Sequence, residues 1–564
     1  MRTRLRQAVA RLNPLPPLGR LWLAARNLRR RWRQVDYVAF VLPAALPLLP
    51  APRGWLRQRL QGPPPLSLVE LERHFQRIAA DPRPQGVILH LRGFNMALAD
   101  LHTLRGSLER LRAAGKRVIC YAQSYDNRTY YVASAADEIV LQPGGSLETV
   151  GLRSQTTFLK DALGALGLAL DSIAISPYKT ALDTFTRRDF SAEGQAQLEW
   201  LLDAQYTTLV DGIAAGRGLS AEAVRAMIDS APHLDEEALA AGYVDAVETE
   251  EALHRRLNCR HVLRWDAARR VLYHRPRPRA DRYVAVLPVS GLMVPGESGA
   301  PPVDLPIPII GGERAGDLTV TAQARRLMRD RRAAAVLLVI DSGGGSAAAA
   351  EAMTAALVEL NRDRPLVAFM NTVAASGGYY IATAARHIVA QPAAITGSIG
   401  VITAKLVTAG LLERLQMNRV ELLRGANAGL LSDAAPFTDA QRARMAQIVE
   451  RIYRQFVEHV ARARQLTPEA VDAVGGGRVW TGSQALERQL VDELGDFQTA
   501  LARARALAGL PADAPAVLVR GQRGALPPQL AADPGAALSF VRENLRALTS
   551  GPQLLLPLDI EVES

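Results

Sequence analysis

The sequence predicts an α/β protein built from two tandem βαβ modules with helical extensions. An internal repeat is the first support. YVAFVL at 37–42 resembles YVAVLP at 283–288, VILHL at 87–91 matches VLLVI at 336–340, and YYVASAADEIV at 130–140 matches YYIATAARHIVA at 379–390. EEALAAGYVDAV at 236–247 likewise matches SQALERQLVDEL at 483–494, and the offset stays between 246 and 249 throughout. So steady an offset means one module used twice. The second support is the alternation of short apolar runs with longer helical patterns, as strands joined by crossover helices require. Composition is the third: 564 residues, 48% hydrophobic, 22% charged and 5% aromatic. That suits several globular domains and excludes a disordered, collagenous or coiled-coil chain.

Residues 1–34 hold ten arginines and no Asp, Glu or Lys. Leu21, Ala25, Leu28 and Trp32 share one helical face, which suits an amphipathic arm on an anionic membrane surface as well as it suits a solvated basic tail. Removing that +10 from the formal +11 leaves +1 on residues 35–564, so no nucleic-acid partner is expected. The apolar run Tyr37–Pro50 contains Pro43, Pro47 and Pro50 and falls short of the roughly 20 residues a spanning helix needs. Its repeat partner, Tyr283–Pro295, reads as a strand and loop. The expectation is a peripheral, membrane-associated protein, with the side of the membrane left open.

The first module spans 35–252, a basic linker 253–281, the second module 282–507 and a C-terminal extension 508–564. In the second module Ala334–Ile340 and Leu366–Asn371 read as buried strands. Ala347–Leu360 reads as the helix between them, and Thr438–Gln465 as a long amphipathic helix.

Cys120 and Cys259 are too few and too distant for a disulfide framework or a metal cage, and neither metal nor cofactor is expected. Of 67 basic residues only Lys116, Lys160, Lys179 and Lys405 are lysines. In so arginine-rich a chain, a lysine can mark a place where a neutral amine is required, because arginine keeps its proton. Lys116 follows a helix and reads as a C-terminal helix charge. Lys160 and Lys405 read as helix-surface charges.

Three Gly-rich passages of the second module can carry chemistry. Asp341-Ser-Gly-Gly-Gly-Ser346 follows a buried strand and precedes a helix, where backbone N–H groups can hold an oxyanion. Ala374-Ala-Ser-Gly-Gly-Tyr-Tyr380 presents a serine on crowded backbone, and Thr396-Gly-Ser-Ile-Gly400 follows a third strand. In the first copy Phe94-Asn95-Met96 replaces Gly343–Gly345, Asn127 replaces Ser376 and Thr149 replaces Ser398. Conversely the first copy has Ser176-Pro-Tyr-Lys-Thr-Ala181, where the second has Ala428 in place of Lys179. One half keeps a nucleophile and the other an amine, as in a duplicated enzyme whose single site takes one part from each half. Tyr379 and Tyr380 recur as Tyr130 and Tyr131 and read as core residues; Trp480 also reads as structural. His387 does not support a Ser-His-Asp arrangement, since Glu138 replaces it in the first copy. A serine needs a base, and a desolvated, neutral lysine can serve.

DSGGGS, AASGGYYIA, TGSIGV, GRVWTG at 477–482, LVDELG at 490–495 and SPYKTALDTF at 176–185, in this arrangement, resemble the signal peptide peptidase A family. The resemblance is to its long tandem-repeat form (peptidase family S49, Clp protease/crotonase-like superfamily) and covers roughly residues 37–507. It implies two ClpP/crotonase-like modules and a serine endopeptidase that cleaves short apolar peptides such as released signal peptides. It further implies Ser376 as nucleophile, Lys179 as general base, oxyanion donors at the Gly344 and Gly377 N–H groups, lysine orientation by Ser398, and a homo-tetramer. Gly343 stands where the family usually has proline, and Gln489 where it has glycine before LVD. Two other readings stay open at this point: a crotonase-like acyl-CoA enzyme, which would not need serine and lysine split between halves, and a non-catalytic membrane scaffold.

Overall fold

The computed structural model describes residues 31–51, 64–274, 281–299 and 312–519, single positions at 25, 27, 28, 30, 59 and 62, and the backbone of Gln553–Leu555 and Val562–Glu563. Most of the basic arm and of the 508–564 extension lies outside the described residues. Two compact units emerge. One takes Met1–Arg153, Gln205–Asp281 and Val562–Ser564; the other takes Ser154–Ala204 and Arg282–Glu561. Residues 154–204, expected in the first module, thus belong by their contacts to the unit that carries Ser376.

The first unit is a parallel sheet in the order Ala246–Val247, Glu138–Leu141, Arg117–Ala122, Gly86–Leu91, Tyr37–Val41 and Val262–Arg264. Tyr37–Val41 is a strand, and among the described residues no helix is long and apolar enough to cross a membrane. In the second unit the parallel path Glu493–Leu494, His387–Ala390, Leu366–Ala375, Ala333–Ser342, Tyr283–Ser290 and Ala516–Leu518 repeats that order strand for strand. The repeat runs past both boundaries read from the sequence. Val262–Arg264, in the stretch expected as a linker, closes one sheet as Ala516–Leu518 closes the other. Strands of three residues are too short to show a periodicity, so the sequence gives no sign of them.

Ala333–Ser342 is buried at every position except Asp341, which is half-buried, as a strand covered on both faces must be. Ala347–Asp363 follows it, capped by the Ser346 hydroxyl on the Ala349 N–H. The long helix is Asp439–Arg464, with Thr438 and Gln441 in a reciprocal capping box. A further sheet of the second unit runs Arg314–Gly316, Leu292–Val294, Gly344–Ser346, Gln553–Leu555, Ile402–Val407 and Ala169–Ala174. It brings the Gly-rich turn and the lysine-bearing segment to the serine.

Candidate active site

Ser376 occupies the single position between strand Leu366–Ala375 and helix Gly377–Ala382, at φ +55° and ψ −113°. Such a φ in a non-glycine residue costs about 1–3 kcal/mol and persists only where the surroundings dictate it. Here the Ser376 N–H donates to Gly397 O at 2.8 Å, and Ser376 O accepts the Tyr380 N–H at 2.8 Å. The next two residues are packed too closely for a larger side chain, most tightly at Gly378. A Cβ on Gly377 would lie 3.1 Å from Gly344 Cα, and one on Gly378 2.4 Å from Ser342 O.

Lys179 arrives on a different segment of the same chain. Ala169–Ala174 pairs antiparallel with Ile402–Val407, and the Ile175 N–H continues the ladder to Val401 O at 3.0 Å. The chain then turns at Ser176, whose hydroxyl donates to Gly476 O, and the Lys179 N–H returns to Ser176 O at 3.1 Å. Two glycines make room for the lysine. A Cβ on Gly477 would stand 2.8 Å from Lys179 Cα, and one on Gly400 3.2 Å from its Cδ.

Lys179 Nζ lies 2.8 Å from Ser376 Oγ, 2.8 Å from Ser398 Oγ and 3.0 Å from Ser398 O. Ser376 and Ser398 are fully buried and Lys179 is 1% exposed. Burial alone pushes the lysine well below its ordinary pKa, since desolvation penalises the ammonium. A neutral amine has two N–H groups and one lone pair. The two donors match Ser398 O and Oγ, leaving the lone pair to accept the Ser376 hydroxyl proton. Ser398 is itself held at φ +52°, with its N–H on Arg478 O at 2.6 Å.

The two N–H groups expected as oxyanion donors differ. Gly377 opens the helix that follows Ser376. The Gly344 N–H donates to Ser342 Oγ at 3.1 Å, and Ser342 Oγ donates to Gly291 O at 2.6 Å. Ser342, absent from the expected site, therefore holds that group at rest; its place in DSGGGS was the available signal.

A stack of side chains flanks the lysine turn and was also missed. The Arg478 guanidinium lies 4.1 Å from the Tyr178 ring centroid, Tyr178 is 6.1 Å from Trp200, Trp200 stacks on Trp480 at 5.1 Å, and Arg488 covers Trp480 at 3.8 Å.

Among the described residues, the first copy has no such group of side chains. Asn127, in the place of Ser376, is occupied by backbone: its amide donates to Gly151 O at 2.7 Å and accepts the Gly151 N–H at 3.2 Å. Two lysines correct the sequence reading. Lys116 is buried, donating to Asp81 O at 2.7 Å and Pro84 O at 2.6 Å. Lys405 is a buried strand residue over the Phe437 ring at 4.4 Å. His387 pairs with Glu493 at 2.9 Å and touches none of the site residues. Tyr379 and Tyr380 are buried in the core.

Peptidase family S49 matches the chain twice, over residues 110–263 and 358–511. The chloroplastic serine protease SPPA of Arabidopsis thaliana is 27% identical over 495 residues, covering 86% of this chain and 72% of that protein. Protease 4 of Haemophilus influenzae is 30% identical over 457 residues, covering 77% and 71%. Protease 4 of Salmonella typhi is 28% identical over 469 residues, covering 79% and 72%.

Proposed function

Since the chain belongs to peptidase family S49 and is a serine protease, we propose that Ser376 is its nucleophile and Lys179 its general base, within one chain. The observation that carries this is the 2.8 Å approach of a fully desolvated lysine to the serine hydroxyl. Ser376 Oγ attacks the scissile carbonyl as its proton passes to Lys179 Nζ. The Gly377 N–H, with the Gly344 N–H once it leaves Ser342, stabilises the oxyanion. Lys179 then hands its proton to the leaving amine. Water repeats the sequence on the acyl-enzyme, with Lys179 again as base. Ser398 fixes the amine by accepting both of its N–H groups.

Its substrates are peptides. We propose short apolar ones, such as released signal peptides, cleaved by a homo-tetramer resting on an anionic membrane surface through residues 1–34. Leu28 and Trp32, 60% and 81% exposed at the end of that arm, supply apolar insertion.

A fluorophosphonate probe and a fluorogenic apolar peptide test the pair. Ser376→Ala should lose labelling and turnover on the order of 10⁴-fold or more. Lys179→Arg should be as inactive as Lys179→Ala, because arginine cannot become a base. In the parent, activity should rise with pH as the amine sheds its proton. Turnover preserved in Lys179→Arg would leave the lysine a structural cation.

A further inference from the structure

Two strand edges border Ser376. Gly344–Ser346 is one, since Gly344 Cα is within 3.1 Å of a Cβ built on Gly377. The other is Ile402–Val407, which begins four residues after Ser398. They do not pair with each other. Gln553–Leu555 lies between them, antiparallel to both, with register Gly344↔Leu555, Gly345↔Leu554 and Ser346↔Gln553 on one side and Ile402↔Gln553 on the other. A gap between two strand edges accepts any extended peptide through main-chain hydrogen bonds, while side chains set preference. The occupant comes from GPQLLLPL at 551–558, a short apolar peptide of the class proposed as substrate.

We propose that this gap is the peptide-binding slot of the protease and that the chain's own segment Gln553–Leu555 fills it as an intramolecular competitor. The proposal rests on Ser376 being the nucleophile. A three-residue strand makes few hydrogen bonds, so what holds it in place is tethering, which supplies an effective concentration in the millimolar range. Substrate must displace the segment, and weak or dilute peptides fail to.

The test uses the full chain carrying Leu554→Pro and Leu555→Pro together. Successive strand residues direct their N–H groups to opposite neighbours, so the two prolines remove a donor toward each edge. KM for a fluorogenic apolar peptide should fall on the order of tenfold with kcat unchanged, and fluorophosphonate labelling should accelerate. Amide exchange at Gly344–Ser346 should speed up, and a synthetic 551–558 peptide should inhibit the variant competitively and restore protection there. If KM, labelling and exchange all stay at the parental values, the segment does not occupy the slot. If the variant loses thermal stability and activity together, the segment is a structural strand and the proposal falls. Exchange needs no turnover, so it still reports on the slot if Ser376→Ala proves active and the nucleophile assignment fails instead.

Discussion

Lys179 and Ser398, the proposed base and the residue proposed to orient it, make distinct demands. Lys179 must stay neutral when folded, while the unfolded chain binds a proton up to about pH 10.4. Its depressed folded pKa therefore means that stability rises with pH between the folded and the ordinary lysine value, and is lost as pH falls across that window. Lys179→Met removes this linkage, so at neutral pH the variant should melt at a higher temperature than the parent while being inactive; calorimetry across pH checks it. Ser398 acts through the lysine. Its hydroxyl accepts an amine N–H, an interaction worth more to the ammonium than to the amine. Ser398→Ala should thus lower the lysine pKa further, moving the rising limb of the kcat profile to lower pH, with kcat down about 10–100-fold and KM little changed. A merely structural serine would leave the limb in place.

At the scale of elements, the lysine turn is gripped from outside by Arg478, Tyr178, Trp200, Trp480 and Arg488. Trp200 is central, with its Nε1–H on Val479 O at 2.9 Å. Each aromatic contact contributes about 0.5–1.5 kcal/mol, but small displacements of a catalytic group cost far more in rate. Trp200→Ala should lower kcat about tenfold or more with KM nearly unchanged, and Trp200→Phe should recover most of it; steady-state kinetics of both variants decides. The two ends of the site were legible in the sequence because the repeat could be compared with itself: a serine kept in one copy, a lysine in the other. Trp200 was not legible, since its counterpart in the matching helix Asp439–Arg464 is Gln447 and no motif marks it. Lys405 was misread because its strand pairs with Ala169–Ala174, far away in the sequence, and nothing local announces that partner. Gly400 and Gly477 sat in quoted motifs, but the lysine that needs their missing Cβ atoms is visible only in three dimensions.

For the whole molecule, the repeat supplies an argument about assembly. Ile173 is buried in the core of the serine-bearing unit. Its counterpart at the 249-residue offset, Leu422, is 85% exposed, beside Val420 at 85% and Met417 at 57%. A row of exposed apolar residues of this kind is the surface on which the proposed assembly would rest. Quasi-equivalence suggests the first module of the next copy, in a closed ring. If this face forms the proposed tetramer, Val420→Asp with Leu422→Asp should give smaller species than the parent in light scattering. Fluorophosphonate labelling should persist, because serine and lysine belong to one chain. Removing residues 1–34 should release the protein from anionic vesicles and spare turnover, with binding of the intact chain weakening as salt rises.

The lysine and the serine are 197 positions apart in the chain, and this separation has a temporal side. Ribosomes add roughly 5–20 residues per second, so about 10–40 s separate the emergence of Lys179 from that of Ser376. Strand Ala169–Ala174 must wait even longer for Ile402–Val407, its ladder partner. Throughout that interval the nascent chain carries a half-built sheet. Until Ile402–Val407 emerges, Ala169–Ala174 is an unpaired strand edge, the kind of surface most prone to pair with another chain.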